Sequence, residues 1–128
     1  MNTRTTSPVS PADLAPDRVR ATLQLRVGGA WFPVCDRSAL IAGRGVAALL
    51  PDGRQVALFM DRAGRTYAID NRDPYSGAQV LSRGLTGTQD GRAFVASPLL
   101  KQRFDLESGR CLDDESVTVT VYASRIES

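Results

Sequence analysis

The chain has 128 residues, a formal net charge of +2 and no histidine. A chain of this length is one ordinary domain, and the near balance of charge gives no basic footprint for nucleic acid. The lack of histidine excludes histidine-based catalytic triads, zinc sites, haem ligation and Rieske-type iron ligation. No apolar run approaches the roughly 18 residues that a transmembrane helix needs, so we expect no membrane partner.

Residues 1–20 differ in composition from the rest of the chain. They are rich in Thr, Ser, Pro and Arg and lack the basic-then-apolar order of a signal peptide. We therefore expect a mobile N-terminal tail over residues 1–20 and one domain over residues 21–128. With no export signal, we expect Cys35 and Cys111 to be reduced, buried thiols of a cytoplasmic protein rather than a disulfide.

The first half of the domain contains short apolar segments separated by turn residues. Alternation over residues 21–27 predicts a first strand, and a Gly28-Gly29 break separates it from a second apolar segment. That segment opens with Trp31, which we expect to plug the core. A connector over residues 36–45, with room for one helical turn, leads to apolar segments at 46–50, 55–60 and 66–69. Turn-type sequences at 51–54 and 61–65 separate these segments.

The second half continues this pattern. Asp90-Gly91 is a hairpin signal, and further strands are predicted at residues 93–96, 103–106, 110–112 and 117–123. Strands that recur every 8 to 12 residues or so, with no window of helical periodicity, indicate an antiparallel sandwich or barrel. The sequence therefore predicts an all-β fold of short strands.

Two loops, residues 71–77 and 97–102, interrupt the regular spacing of the strands. The second loop and the residues after it resemble a cluster-binding loop of Rieske ferredoxins, Cys-Pro-x-His-Gly-x-x-Phe-Asp-x-x-x-Gly. The first loop resembles that family's other loop, Cys-Pro-His. The resemblance implies a Rieske-like β-sandwich in which both loops meet at one end. It rests on Asn71-Arg72-Asp73-Pro74-Tyr75 and on Ser97-Pro98-Leu99-Leu100-Lys101-Gln102-Arg103-Phe104-Asp105-Leu106-Glu107-Ser108-Gly109.

In Rieske ferredoxins each loop supplies one Cys and one His to an iron–sulfur cluster. Carried over position by position, the first loop has Asp73 for the Cys and Tyr75 for the His, and the second has Ser97 and Leu100. Oxygen donors and a leucine do not replace soft thiolate and imidazole ligands. The resemblance therefore implies a vestigial cluster site, with no catalytic residue, cofactor or metal in this chain.

Further segments, in the same order along the chain, resemble the small subunit of assimilatory NAD(P)H-dependent nitrite reductase. The resemblance covers roughly residues 31–122 and departs from the family's pattern at Leu99-Leu100, where a Tyr would stand beside the Lys. It implies a small, non-catalytic subunit for a large subunit that carries FAD, an iron–sulfur cluster and siroheme and reduces nitrite to ammonium in nitrate assimilation. The segments are Trp31-Phe32-Pro33-Val34-Cys35, Val56-Ala57-Leu58-Phe59, Ala68-Ile69-Asp70-Asn71-Arg72-Asp73-Pro74, Leu81-Ser82-Arg83-Gly84 and Ala96-Ser97-Pro98-Leu99-Leu100-Lys101-Gln102-Arg103-Phe104-Asp105-Leu106.

The two loops are also the predicted contact surface for the large subunit. Their basic side chains could form a rim that steers an acidic patch, or could be scattered solvated charge of little energetic value. Tyr75 could anchor the interface or fill the space that a cluster would take, and Asp73 could contact the partner or shape its loop. The predicted interface residues are Arg72, Asp73, Pro74, Tyr75, Arg83, Lys101, Gln102 and Arg103.

Two other functions are weighed against this one. A Rieske-type, ferredoxin-like electron carrier would need the cluster whose ligands are missing. A freestanding module for a small anion such as nitrite, or for another partner, could use the basic loops instead.

Overall fold

The computed structural model describes residues 21–127. Within this range the chain forms short strands and two single 3₁₀ turns, in agreement with the all-β prediction. No helix in these residues is long and apolar enough to cross a membrane. The strands are β1 (Thr22–Val27), β2 (Ala30–Asp36), β3 (Val46–Leu49), β4 (Gln55–Met60), β5 (Thr66–Asp70), β6 (Leu85–Gln89), β7 (Arg92–Ala96), β8 (Arg103–Asp105), β9 (Val121–Tyr122) and β10 (Ser124–Glu127), with 3₁₀ turns at Arg37–Ala39 and Leu81–Arg83.

The strands form three antiparallel sheets. The first has the order β10-β1-β2, the central sheet β3-β4-β5-β9, and the third β6-β7-β8. Strands β4 and β5 lie in the middle of the central sheet and are buried on both faces. The predicted antiparallel sandwich or barrel of short strands is confirmed.

The burial of β4 explains why its sequence is an apolar run without alternation. Val56 and Leu58 face a core shared with the first sheet, whereas Ala57 and Phe59 face a core shared with the third sheet. Cys35 packs at the edge of the first core and Cys111 is buried in the second, and both are free thiols as predicted. The first core comprises Leu23, Leu25, Leu40, Leu50, Val56, Leu58 and Ala68, and the second Ala57, Phe59, Tyr67, Ile69, Leu81, Val95, Phe104, Leu106, Cys111 and Val119.

The turns follow the local chemistry read from the sequence. Asp90 and Gly91 join β6 to β7 with φ angles of 52° and 79°, the left-handed pair that a two-residue hairpin requires. The β4–β5 turn is fixed by Asp61, whose Oδ1 accepts from the backbone N–H groups of Ala63 and Arg65. The predicted helical turn in the first connector is the 3₁₀ turn after Asp36.

Three expectations about individual segments were wrong. Residues 110–112 form only isolated bridges, at Arg110 and Cys111, and no strand. The predicted strand at 117–123 forms a strand only at β9, because its backbone pairs in turn with Cys111, Gly109 and Asp70 rather than with one neighbour. Trp31 does not plug the core. It pairs in register with Arg26, on the outer face of the first sheet, where its ring lies 5.7 Å from the Arg26 guanidinium and 4.2 Å from that of Arg125.

The predicted N-terminal tail, residues 1–20, lies outside the described residues. The domain boundary at residue 21 therefore stays a prediction. Strand β1 begins at Thr22, and the hydrogen bond from the Arg37 N–H to the Ala21 carbonyl is the first described contact of the chain.

Candidate functional site

The two loops meet at one end of the molecule, as the sequence predicts, and a single buried hydrogen bond joins them. The Ser97 hydroxyl donates to Asp73 Oδ2 over 2.6 Å. Asp73 is fully buried and Ser97 is 1% exposed. The two residues at the predicted cysteine positions are therefore in direct contact, and we refer to this contact as the Asp73–Ser97 bond.

Three loops of the domain share one hydrogen-bond pattern. In the loops that begin at Asp73, Ser97 and Asp105, the side chain of this first residue accepts a hydrogen bond from the backbone N–H two residues on. The distances are 2.8, 3.3 and 2.8 Å in that order. The carbonyl of the first residue accepts from the N–H of the fifth, at 2.7, 3.0 and 2.7 Å, and the fifth residue has a φ of 81°, 71° or 78°. The first residues are Asp73, Ser97 and Asp105, and the fifth are Gly77, Lys101 and Gly109.

The tip of the second loop is apolar and exposed. Leu99 is 50% exposed and Leu100 is 51% exposed, so Leu100 covers nothing at the position of a predicted cluster histidine. Leu85 is 78% exposed and pairs with Ala96, directly before the loop. Exposed leucines beside one another on a rigid loop are more typical of a contact surface than of a free one.

Tyr75 crosses from the first loop towards the residues after β8. Its ring centroid lies 6.4 Å from that of Phe104, and its hydroxyl donates to Asp114 Oδ2 at 3.2 Å and contacts Cys111 Sγ at 3.6 Å. Burial of the hydroxyl raises the Tyr75 pKa, and the contacts with Cys111 and Asp114 add to the rise. This placement fits the space-filling role, although Tyr75 is 36% exposed.

The structure separates the four basic residues of the predicted rim into two kinds. Arg72, Arg83 and Lys101 are exposed, and none forms an ion pair with another residue in the described range. Arg103 pairs with Asp113 at 2.9 Å and donates to Gln89 at 2.6 Å. Its charge is already compensated, so it contributes less to a steering rim than the other three.

The remaining predicted interface residues have internal roles. Asp73 has no exposed surface and could serve an interface only by fixing the loop shape, and Pro74 is half-buried. The Gln102 Oε1 atom is buried, and it has no hydrogen-bond partner among the described residues. Its backbone carbonyl accepts from the Ser97 N–H at 2.8 Å and closes the base of the second loop.

Sequence reasoning missed two supports of the site. Asn71 is 1% exposed, accepts from the Ser82 N–H at 2.7 Å, and so ties the first loop to the second 3₁₀ turn. Asp113 and Asp114 hold Arg103 and Tyr75 from a neighbouring loop. An asparagine directly after a strand is a recognisable local signal, but the distant acidic pair could not be connected to the loops from spacing alone.

These residues do not fit an iron–sulfur cluster. Both Asp73 oxygens accept hydrogen bonds, the Ser97 hydroxyl is a donor to one of them, and Leu100 has no ligating atom. Cys35 and Cys111 lie in different cores on opposite faces of the central sheet, and burial together with Asp36 raises the Cys35 pKa and disfavours the thiolate. The donor set is hard oxygen where a cluster needs sulfur and imidazole nitrogen.

An open pocket lies elsewhere in the described part of the chain. It has a volume of about 590 Å³ and lies between the β4–β5 turn and the β6–β7 hairpin, with Phe59, Tyr67 and Leu106 among its lining residues. Asp61 is the one carboxylate among the lining residues, and both of its oxygens already accept hydrogen bonds, from Arg65, Tyr67 and the turn backbone. No residue of the two loops lines it, so we regard the loop end as the functional site.

The sequence and the fold are similar to those of known proteins. A family described as "Rieske-like [2Fe-2S] domain" matches residues 30–128. The chain is 43% identical over 98 residues to the nitrite reductase (NADH) small subunit of Salmonella typhimurium, covering 76% of this chain and 90% of that protein. The corresponding small subunit of Escherichia coli K12 is 42% identical over the same lengths.

Solved structures and a longer relative agree. A crystal structure described as an NADH-dependent nitrite reductase small subunit from Mycobacterium tuberculosis is 55% identical, with a TM-score of 0.68 over 70% of this chain and 79% of that one. The chain is also 42% identical over 99 residues to the nitrite reductase [NAD(P)H] large subunit of Klebsiella oxytoca, covering 77% of this chain and 10% of that protein. The chain belongs to the Rieske-like domain family and, within it, to the small subunits of NAD(P)H-dependent nitrite reductase.

Proposed function

We propose that this chain is the small subunit of an NAD(P)H-dependent nitrite reductase and binds the large subunit through its loop end. The large subunit carries the FAD, iron–sulfur cluster and siroheme and reduces nitrite to ammonium. The small subunit contributes a docking surface and no redox centre of its own, and both work in the cytoplasm. Reduced, unpaired thiols at Cys35 and Cys111 are compatible with that compartment.

The observation that carries this proposal is the relative from Klebsiella oxytoca. A domain 42% identical to this chain there forms about a tenth of a protein named as the large subunit. A covalent link keeps two domains at high effective concentration, so the same domain as a separate chain needs an interface of its own. We infer that the surface used within that longer chain is used between chains here.

The geometry of the loop end supports a docking role over a redox role. The Asp73–Ser97 bond holds the two loops together without a metal, and exposed leucines with three uncompensated cations project beyond it. A surface of this kind gives binding energy through apolar burial and orientation through charge. Leucine, arginine and lysine side chains do not accept or release electrons, so this surface is suited to docking rather than to electron transfer.

Co-expression with the large subunit tests the proposal. We expect the two chains to co-purify and nitrite-dependent NAD(P)H oxidation to fall when this chain is omitted. Charge reversal at Arg83 and Lys101 should slow association most at low salt, because exposed charges are screened as ionic strength rises. As a matched control, charge reversal at Arg62, an exposed arginine in the β4–β5 turn at the opposite end of β5 from the first loop, should leave association unchanged. Failure to co-purify would contradict the proposal.

The two alternatives make different predictions for the isolated chain. An electron carrier would show a visible absorption band and a reduced-state EPR signal. A freestanding anion-binding module would release heat on calorimetric titration with nitrite. We expect neither, because the ligand positions hold Asp73, Tyr75, Ser97 and Leu100 and the cations lie exposed in water rather than around a cavity.

A further inference from the structure

We infer that Leu99, Leu100 and Lys101 form a rigid anchor that enters an apolar pocket on the large subunit, with a carboxylate of that subunit at the pocket's edge to receive Lys101. This inference rests on the proposed docking function and names the part of the surface that carries its energy. The supporting observations are the backbone strain at Lys101, the rigidity of its loop and the exposure of the two leucines.

The strain is clear from a comparison within the molecule. The three loops that share one hydrogen-bond pattern each place their fifth residue in the left-handed region, and two of them use glycine there, Gly77 and Gly109. The second loop uses Lys101, with a φ of 71°. A side chain at this φ is disfavoured by contact of Cβ with the backbone, so glycine would be the more stable choice.

The Lys101 side chain has no internal use that explains this strain. It is exposed, and within residues 21–127 it forms no ion pair or side-chain hydrogen bond. Strained residues persist mainly where they serve binding or catalysis. An unpaired ammonium group at a loop tip is suited to a carboxylate on another protein, and this charge complementarity identifies the acidic edge of the partner pocket.

The loop is rigid at its base and apolar at its tip. Ser97 is held by four hydrogen bonds: it donates to Asp73 and Gln102 and accepts from Leu99 and Lys101. Above this base, half the surface of each leucine is exposed. A rigid loop loses little conformational entropy when it binds, so burial of the two leucines would convert efficiently into affinity.

Calorimetric titration of the purified chain into the holo large subunit, together with thermal unfolding of the chain alone, tests the inference. We expect Lys101→Gly to raise the Tm of the isolated chain by about 3 °C, because it removes backbone strain, and to weaken binding at least tenfold. Lys101→Arg keeps charge and strain and should bind within twofold of the unaltered chain. Leu99→Ser with Leu100→Ser should weaken binding at least tenfold without lowering the Tm.

Ile41→Ser is the matched control. Ile41 is 55% exposed and lies in the connector whose Gly43 N–H bonds the Met60 carbonyl, at the end of β4 away from the first loop, so this change should leave both Tm and affinity unaltered. A Lys101→Gly chain that is more stable yet binds normally would overturn the anchor, as would one whose Tm does not rise. Failure of the unaltered chain to bind would contradict both the proposed docking function and the anchor. Normal binding by the double leucine variant would overturn the anchor alone.

Discussion

The Asp73–Ser97 bond joins the two loops, and breaking it should cost a large share of the domain's stability. Ser97→Ala removes the hydroxyl that donates to Asp73 Oδ2 at 2.6 Å while leaving the volume of the site almost unchanged. The loss leaves a carboxylate oxygen without its partner, and Asp73 is fully buried, so water cannot replace the hydroxyl without opening the loops.

The expected magnitude follows from the charge and burial of the pair. A hydrogen bond to a charged group contributes about 1.5–3 kcal/mol, and a buried acceptor left unsatisfied loses this in full. The weaker contact of Ser97 Oγ with the Leu99 N–H, at 3.3 Å, adds little. We therefore expect Ser97→Ala to lower the free energy of unfolding by about 2–3 kcal/mol, or the Tm by roughly 10 °C.

Urea unfolding monitored by the fluorescence of Trp31, the single tryptophan, measures this loss, and a double-mutant cycle isolates the pair. Asp73→Ala and Ser97→Ala should couple by about 1.5 kcal/mol or more. Asp73→Asn is the matched control, because its amide can still accept from the Tyr75 N–H and donate to the Ser97 hydroxyl, and it should cost less than Asp73→Ala. A coupling energy below about 0.5 kcal/mol would refute the reasoning.

Three further predictions concern packing and titration. Gly84→Ala should destabilise the domain by more than about 2 kcal/mol, because a Cβ there would lie 2.2 Å from the Ala96 carbonyl oxygen. Ala63→Gly, at an exposed turn position, is the control and should be tolerated. Burial alone would raise the Asp105 pKa, but hydrogen bonds from Arg92 and from the backbone N–H groups of Glu107 and Ser108 hold this pKa below the ordinary value of 3.8. The ionised Asp105 therefore stabilises the fold above that pH, and its contribution is lost as acid protonates the carboxylate. Acid titration of Arg92→Ala should show a smaller loss below pH 4 than the unaltered chain; an equal loss would contradict this. The pKa values of all three tyrosines are raised, and burial and a hydrogen bond to Asp70 raise that of Tyr122 to about 12. Absorbance titration should therefore show no tyrosine midpoint at pH 10. The free energy of unfolding should fall as the pH rises from 10 towards 12.

Much of the fold could be predicted because its signals are local. Turn residues such as Asp90-Gly91 and Asp61 fix their own backbone by hydrogen bonds within a few residues. The position of Trp31 could not be predicted in this way, since it depends on register: pairing with Arg26 places it on the outer face. The divided pairing of residues 117–120, first with residues 109–111 and then with Asp70, is likewise a long-range property.

The candidate site shows the same division. The motif comparison identified the two loops and the four positions where a cluster would be held. It did not show that Asp73 and Ser97 bond to each other, because the partners lie 24 residues apart and depend on the meeting of two sheets. Nor did it show that Asp113 would compensate Arg103 and leave Arg72, Arg83 and Lys101 as the uncompensated cations.

The most direct test of a docking subunit without iron is metal analysis of the chain itself. The chain would be purified anaerobically from iron-replete cells, and its iron and acid-labile sulfide would be measured against protein concentration. We expect both to be far below one atom per chain. About two iron and two sulfide per chain, the content of a Rieske centre, would contradict the central claim that the Asp73–Ser97 bond, and not a cluster, joins the loops.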